Sequence, residues 1–333
     1  MLKVGQIGCG GIGGIHACCW KNLQDKVQLV AVADFNVAKA KEISKDCGAK
    51  VYEDAIQMLE NENLDIVDIC LPTFLHAQYV IDTMEYVKNI IVEKPLCLNE
   101  KEAEEIKKAA QKYGATVLVG HVVRFSDTND YLAKLIKSGE YGRVIEANFY
   151  RISPKPVWVK DYENVNKTGG MPIDLHIHDV DYIRYIMGSD PKDVESIVIR
   201  NENGIVENIW SSYFYDGAVI HAEASWIYPV CMKFKKSARV RLEKAVVEFS
   251  DNNILTVYPE DGEAFSQTFA EKNMDFGINI SDMMPFYNEL SSFIAYIEGD
   301  KKAKVVTLDD AIAALKLVIR ELDTAKACVA GRK

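Results

Sequence analysis

The sequence lacks any uninterrupted apolar run of the length a membrane span needs, about 20 residues. Its start runs directly into Val4-Gly5-Gln6-Ile7-Gly8, where glycine interrupts the apolar core that a secretory leader requires. There is no Cys-x-x-Cys pair among the eight cysteines; Cys18 and Cys19 are adjacent, and Cys70 lies inside an apolar run. That pattern argues against a disulfide scaffold and a structural zinc site. It leaves reduced thiols packed as small hydrophobes, the state expected of a cytoplasmic protein. Basic residues are also in deficit: 39 Lys and Arg stand against 49 Asp and Glu, a net charge of −10. A general nucleic-acid or anionic-membrane binder would need the opposite balance, although a local basic pocket can still take an anionic substrate. Internal repeats, low-complexity tracts and an obvious flexible linker are missing as well.

What remains is an ordinary globular composition, 48% hydrophobic and 26% charged, over 333 residues, enough for two separate cores. Residues 1–121 alternate short Val/Ile-rich runs with amphipathic stretches, the pattern of a doubly wound α/β domain with a parallel sheet. Strands are expected at Lys3–Gly8, Gln28–Ala33, Ile66–Leu71, Ile90–Glu93 and Val117–Gly120. Asn36 and Gly48 bracket one helix, while Asn99 with Glu102 and Gly114 bracket another. Residues 122–333 read differently. A helix near Asp127–Ser138, a strand at Val144–Arg151 and a helix near Ile173–Met187 lead into consecutive strands: Val194–Arg200, Glu207–Tyr215, Ala218–Trp226, Cys231–Leu242 and Ala245–Ser250. Strands in succession imply a mostly antiparallel sheet in an α+β domain. Helices at Pro285–Glu298 and Leu308–Ala330 close the chain.

Gly8-Cys9-Gly10-Gly11-Ile12-Gly13 follows a strand and opens a helix, the context in which G-x-G-x-x-G binds a dinucleotide. The glycines permit a tight turn and close approach of pyrophosphate, and the helix N-terminus offers N–H groups and partial positive charge. Asp34 ends the second strand 21 residues after Gly13, where a carboxylate binds ribose hydroxyls and repels a 2′-phosphate. Phe35 and Asn36 follow instead of Arg or Ser, so NAD is expected over NADP, with Lys39 and Lys41 still able to reach a phosphate. Leu71-Pro72-Thr73 ends a further strand at the sheet's ligand edge, and His76 follows on a helix, serving either packing or cofactor contact. Glu93-Lys94-Pro95 ends another; a lysine there can stabilise charge developing on a reacting oxygen, with Glu93 fixing its position. A surface lysine would look the same taken alone.

The second constellation is Gly169-Gly170-Met171-Pro172-Ile173-Asp174-Leu175-His176-Ile177-His178-Asp179. His176 and His178 invite a metal reading. Helical spacing of the apolar residues argues against it, because residues two apart do not share a helix face. Asp174 and His178, four apart, do, which sets a carboxylate to orient a basic imidazole.

The glycine loop, Leu71-Pro72-Thr73-x-x-His76, Glu93-Lys94-Pro95 and Gly169-Gly170-x-x-x-Asp174-x-x-x-His178-Asp179, in this order, resemble the glucose–fructose oxidoreductase/inositol dehydrogenase (Gfo/Idh/MocA) family. The resemblance runs over essentially the whole chain, including Tyr287-x-Glu289-Leu290-x-x-Phe293. It implies a Rossmann domain, a second domain with an open sheet, and a homodimer or homotetramer formed through that sheet. It implies a dehydrogenase acting on CH–OH groups of a sugar, inositol or related polyol. A variant expectation is transient oxidation by bound NAD in glycoside cleavage or epimerisation; a catalytically dead NAD-binding sensor is the third. By the same resemblance Lys94, Asp174 and His178 are catalytic, and His121, Arg124 and Trp158 face substrate. Lys155, Lys160, Asp161 and Tyr162 belong to a covering loop, and His176 is an additional group near substrate.

Overall fold

The computed structural model describes residues 1–157, 162–250, 253–270 and 282–329. The chain packs as two units, Met1–Val122 with the described part of Glu271–Ile312, and Val123–Ala270 with the described part of Ala313–Lys333.

In the first unit the elements alternate as the apolar runs anticipate: β1 (Leu2–Ile7), α1 (Gly11–Asn22), β2 (Val27–Ala33), α2 (Val37–Cys47), β3 (Lys50–Tyr52), α3 (Ala55–Asn61), β4 (Ile66–Ile69), α4 (His76–Thr83), β5 (Asn89–Glu93), α5 (Glu100–Tyr113) and β6 (Thr116–Gly120). All pairs are parallel, in the order β3-β2-β1-β4-β5-β6. This is the doubly wound arrangement that leaves a ligand crevice at the carboxyl ends of the strands. Val4, Ile66, Ile69, Ile90 and Val92 are fully buried, each contributing about 1.5–3 kcal/mol of transfer free energy. The helix ends follow local chemistry. The Asn99 side chain caps α5 by accepting from the Glu102 N–H at 3.0 Å, and Glu102 reaches back past the cap to accept from Leu98 N–H at 2.9 Å, a capping box shifted by one residue. Gly48 and Gly114 take left-handed conformations after α2 and α5. Asn36 occupies the N-cap position of α2 without a side-chain capping bond.

The second unit begins with α6 (Asp127–Ser138), β7 (Val144–Pro154), α7 (Val165–Thr168) and a π-helical turn, Pro172–His176, leading into α8 (Ile177–Met187). The strands β8 (Asp193–Arg200), β9 (Val206–Tyr215), β10 (Ala218–Tyr228), β11 (Lys235–Leu242), β12 (Ala245–Phe249), β13 (Ile254–Pro259) and β14 (Phe265–Thr268) follow. After α9 (Met284–Ile297) and α10 (Leu308–Thr324), β15 (Lys326–Val329) completes a nine-stranded sheet, β14-β13-β12-β11-β7-β10-β9-β8-β15. It is mostly antiparallel; β7 with β10 and β8 with β15 are the parallel pairs.

Three sequence expectations change. The final helix stops at Thr324, and Lys326–Val329 pairs with β8, where exposed ladder groups of an edge strand gain partners. Cys231–Leu242 shortens to Lys235–Leu242, because a turn closed by Met232 N–H to Pro229 O at 2.9 Å precedes the strand. A single division after residue 121 does not anticipate the return of α9 to the first unit. There Phe286 meets the His16 ring edge-on, and Val119 N–H donates to Val306 O at 3.1 Å.

Candidate active site

The glycine turn between β1 and α1 is built for close approach. Gly8 has φ +98°, and a Cβ there would lie 2.4 Å from Cys70 O; a Cβ on Gly13 would lie 2.3 Å from Gly8 O. At Gly10 it would meet nothing within 4 Å, so this face of the turn is open. Gly10 is also the N-cap of α1 and, being glycine, brings no side chain to cap the N–H groups behind it. Buried Gln6 donates to both Gly8 O and Gly13 O at 2.9 Å and clamps the turn shut from below. Gly11 and Ile12 are half-exposed above it. An open turn at a helix N-terminus whose cap is glycine suits a pyrophosphate.

Asp34 leaves β2 beside this turn. Its carboxylate accepts from Cys9 N–H and Asn36 N–H, both at 2.7 Å, and its remaining lone pairs can still accept ribose hydroxyls. Leu71, Pro72 and Thr73 are half-exposed or exposed where β4 ends. Lys94 is half-exposed between buried Glu93 and Pro95, after β5, at the same sheet edge; the Lys94–Pro95 peptide is cis.

Beneath this edge lies a network the sequence reading missed. His16, fully buried on α1, sets Nδ1 2.9 Å from Asp68 Oδ2 and Nε2 3.1 Å from Glu93 Oε1. Trp20 Nε1 donates to Asp68 Oδ2 at 2.8 Å. Burial is the largest single influence on His16 and opposes its charge, but Asp68, by charge and hydrogen bond, together with Cys70 holds the ring's pKa well above the ordinary histidine value. His16, Asp68 and Cys70 bring donor atoms within 4.8 Å of one another, close enough for metal ligands. Burial and Asp68 push the Cys70 thiol far up, away from the thiolate a metal needs, and the thiol donates to Asp68 instead. No sequence signal marks this cluster, since each member sits singly in an apolar segment.

His76 is buried too, with Nδ1 2.7 Å from Pro95 O and Nε2 2.7 Å from Leu71 O. Burial lowers its pKa; the two carbonyls oppose that shift, since both accept only from the doubly protonated ring. The side chain is a strap between two edge loops, and the expected cofactor contact gives way to that packing role. His121 is 1% exposed at the end of β6.

In the second unit Gly169 and Gly170, at φ +78° and +69°, turn the chain into Pro172 and the π-helical turn. Between Gly170 and Ile183 every residue is buried except Asp174 and His178, which are half-exposed. The other ionisable groups are committed inward. Asp179 pairs bidentately with Arg151 at 2.8 and 2.9 Å, and Asp181 with Arg124 at 2.6 and 2.8 Å. Arg124 is 3% exposed and its guanidinium also lies 4.8 Å over the Tyr185 ring, so the substrate contact expected of it is replaced by a framework role. His176 is likewise corrected: it is fully buried, 2.7 Å from Glu321 Oε2, with Tyr213 Oη at 3.1 Å. Tyr162 packs edge-on against Trp226, and Lys155 pairs with Glu207. Trp158, Lys160 and Asp161 lie outside the described residues.

Comparison with known proteins agrees with this anatomy. Residues 2–121 match the family model described as an oxidoreductase family with an NAD-binding Rossmann fold, and residues 130–248 match its GFO/IDH/MocA C-terminal domain. The myo-inositol 2-dehydrogenase of Thermotoga maritima is 31% identical over 209 residues, covering 61% of each chain. The scyllo-inositol 2-dehydrogenase (NAD(+)) of Bacillus subtilis is 31% identical over 193 residues, 57% of this chain and 55% of that one. The chain thus spans less than two thirds of the length of these relatives. A solved chain from Sinorhizobium meliloti 1021, described as a myo-inositol dehydrogenase, superposes with TM-score 0.81 at 25% identity over 97% of both chains. With both of its domains matched, the chain belongs to the Gfo/Idh/MocA family of oxidoreductases.

Proposed function

We propose that this protein is an NAD-dependent dehydrogenase interconverting a secondary alcohol and a ketone, or a lactol and a lactone, on an inositol, sugar or related polyol. The observation that carries the proposal is the position of Lys94, half-exposed at the sheet edge that also presents the glycine turn and Asp34. When bound, NAD would supply the hydride acceptor. His178, oriented by Asp174, takes the hydroxyl proton, and Lys94 stabilises charge developing on the same oxygen. Ketone reduction uses the same groups in reverse. Asp34 selects NAD over NADP through its carboxylate, which repels a 2′-phosphate. Gly8, Gly10, Gly11, Ile12, Gly13, Leu71, Pro72 and Thr73 would line the dinucleotide. The inositol dehydrogenases among the relatives direct the choice of substrate class. We also propose a cytoplasmic location and pairing with a second copy through the outward face of the nine-stranded sheet; among the described residues no helix is long and apolar enough to cross a membrane.

The test is a panel of inositols, hexoses, pentoses and sugar acids, each with NAD and with NADP, followed at the NADH absorbance band. Turnover of at least one cyclic polyol or sugar with NAD is expected. Failure of every member with both cofactors overturns the reading.

A further inference from the structure

Lys94 has to hold a flexible ammonium in one place, and the turn that carries it is anchored on both sides of the lysine by buried imidazoles. Before it, Glu93 Oε2 accepts from Lys94 N–H at 3.1 Å, while Glu93 Oε1 faces His16 Nε2 at 3.1 Å. The carboxylate lies against Gly120 of β6, where an added Cβ would come within 2.9 Å of Glu93 Oε1, so the bare glycine leaves the space that the carboxylate uses. His16 is fixed in turn by Asp68 on its other nitrogen, and Asp68 by Trp20. After the lysine, Pro95 O is 2.7 Å from His76 Nδ1, whose other nitrogen reaches Leu71 O. These anchors sit on α1 and α4, the helices that leave the glycine turn and the Leu71–Thr73 loop. The lysine turn is therefore tied to both loops expected to hold the cofactor.

We propose that His16 and His76 are positioning residues, a pair of buried clasps that hold the Glu93–Lys94–Pro95 turn and through it the Lys94 ammonium. Neither touches the reacting atoms; each acts through the lysine. The inference rests on the proposed role of Lys94 in the reaction. Its structural half, the holding of the turn, stands apart from that role and is measurable in cofactor-free protein.

The experiment compares wild type, His16→Gln and His76→Gln, alone and with Lys94→Ala. Hydrogen exchange of the peptide covering residues 89–98, followed by mass spectrometry without cofactor, should rise by about tenfold or more in each single variant, with β1 and β6 peptides unchanged. With myo-inositol and NAD as the probe pair, kcat should fall about tenfold while KM for NAD moves less than about threefold. In the Lys94→Ala background the same substitutions should lower kcat no further, because what they position is gone. Wild-type exchange of residues 89–98 in the folded variants overturns the clasp. So does an equal loss of kcat with and without Lys94, which marks general damage. Should His16→Gln fail to fold, with Asp68 and Glu93 left as facing carboxylates, His76→Gln carries the same comparison. If Lys94→Ala alone turns over at the wild-type rate, the proposed reaction role of Lys94 fails, and the exchange result still decides the clasp.

Discussion

Asp174, in the π-helical turn, and His178, on α8, differ from the acids that follow them by what surrounds them. Asp179 and Asp181 are enclosed with arginines, and each pair is hydrogen-bonded at two points. Such buried pairs add little net stability, yet removing one partner costs about 3–5 kcal/mol because a charge is left behind. They fix how α8 sits on its sheet, and that fixes where His178 points. His178 itself is half-exposed, as is Lys94 in the first unit, so truncating either leaves the core intact. Lys94→Ala and His178→Ala are each expected to lower turnover about 100-fold or more, with NADH affinity nearly unchanged. Steady-state rates on the best substrate, beside a fluorescence titration of NADH, check both halves. Wild-type rates in both variants would remove these residues from the chemistry.

At the scale of elements, what was legible in the sequence was written locally. Gly48, Gly114, Gly139 and Gly188 each end a helix in the left-handed conformation, as a glycine after an amphipathic run predicts. The buried parallel strands announced themselves as Val and Ile runs. The short edge strand β3 and the strands β13 to β15 did not, because they are recognised by a neighbour's unpaired ladder rather than by their own pattern. The same limit hid the Gln6 clamp and the His16–Asp68–Glu93 network, whose members lie 52 and 77 residues apart. It also misread Arg124 and His176, since residue type alone does not say whether a charge meets substrate or an inward carboxylate. The β1–turn–α1 element offers a test that separates packing from binding. A methyl on Gly13 would collide with Gly8 O, whereas one on Gly10 would point into open space. Gly13→Ala should therefore destabilise the cofactor-free protein by about 1–3 kcal/mol and weaken NADH binding. Gly10→Ala should keep the wild-type melting temperature and still weaken NADH binding about tenfold or more, by obstructing the cradle. Thermal melts and NADH titrations of the two proteins distinguish these outcomes; unchanged NADH affinity in Gly10→Ala would mean that the dinucleotide does not use this turn.

For the whole molecule, the question is what the nine-stranded sheet does with its second face. One face is core: Ile209, Tyr213, Ala222, Val240, Val247 and Leu255 are buried along it. The other carries Tyr150, Trp210, His221, Glu223, Arg239 and Tyr258 around a shallow hollow of about 670 Å³. The registers align these residues across neighbouring strands, with Glu223 opposite both Trp210 and Tyr150, and Arg239 opposite Asn148 and Glu248. Trp210 and Tyr258 are 39% and 46% exposed, and aromatic anchors within a polar, mixed-charge surround are the composition of a protein interface. A broad sheet face can bury the roughly 1,600 Å² that a stable pairing needs, and a two-fold axis would set the same mixed-charge surface against itself. Sedimentation equilibrium at about 10 μM, a concentration at which sub-micromolar association is complete, should therefore give a mass at least twice 37.4 kDa. Trp210→Glu places a charge at the centre of that face and should shift the protein toward monomer while its far-UV spectrum stays unchanged. A wild-type protein sedimenting at the single-chain mass, or a Trp210→Glu variant that stays associated, would assign this face to solvent or to another partner.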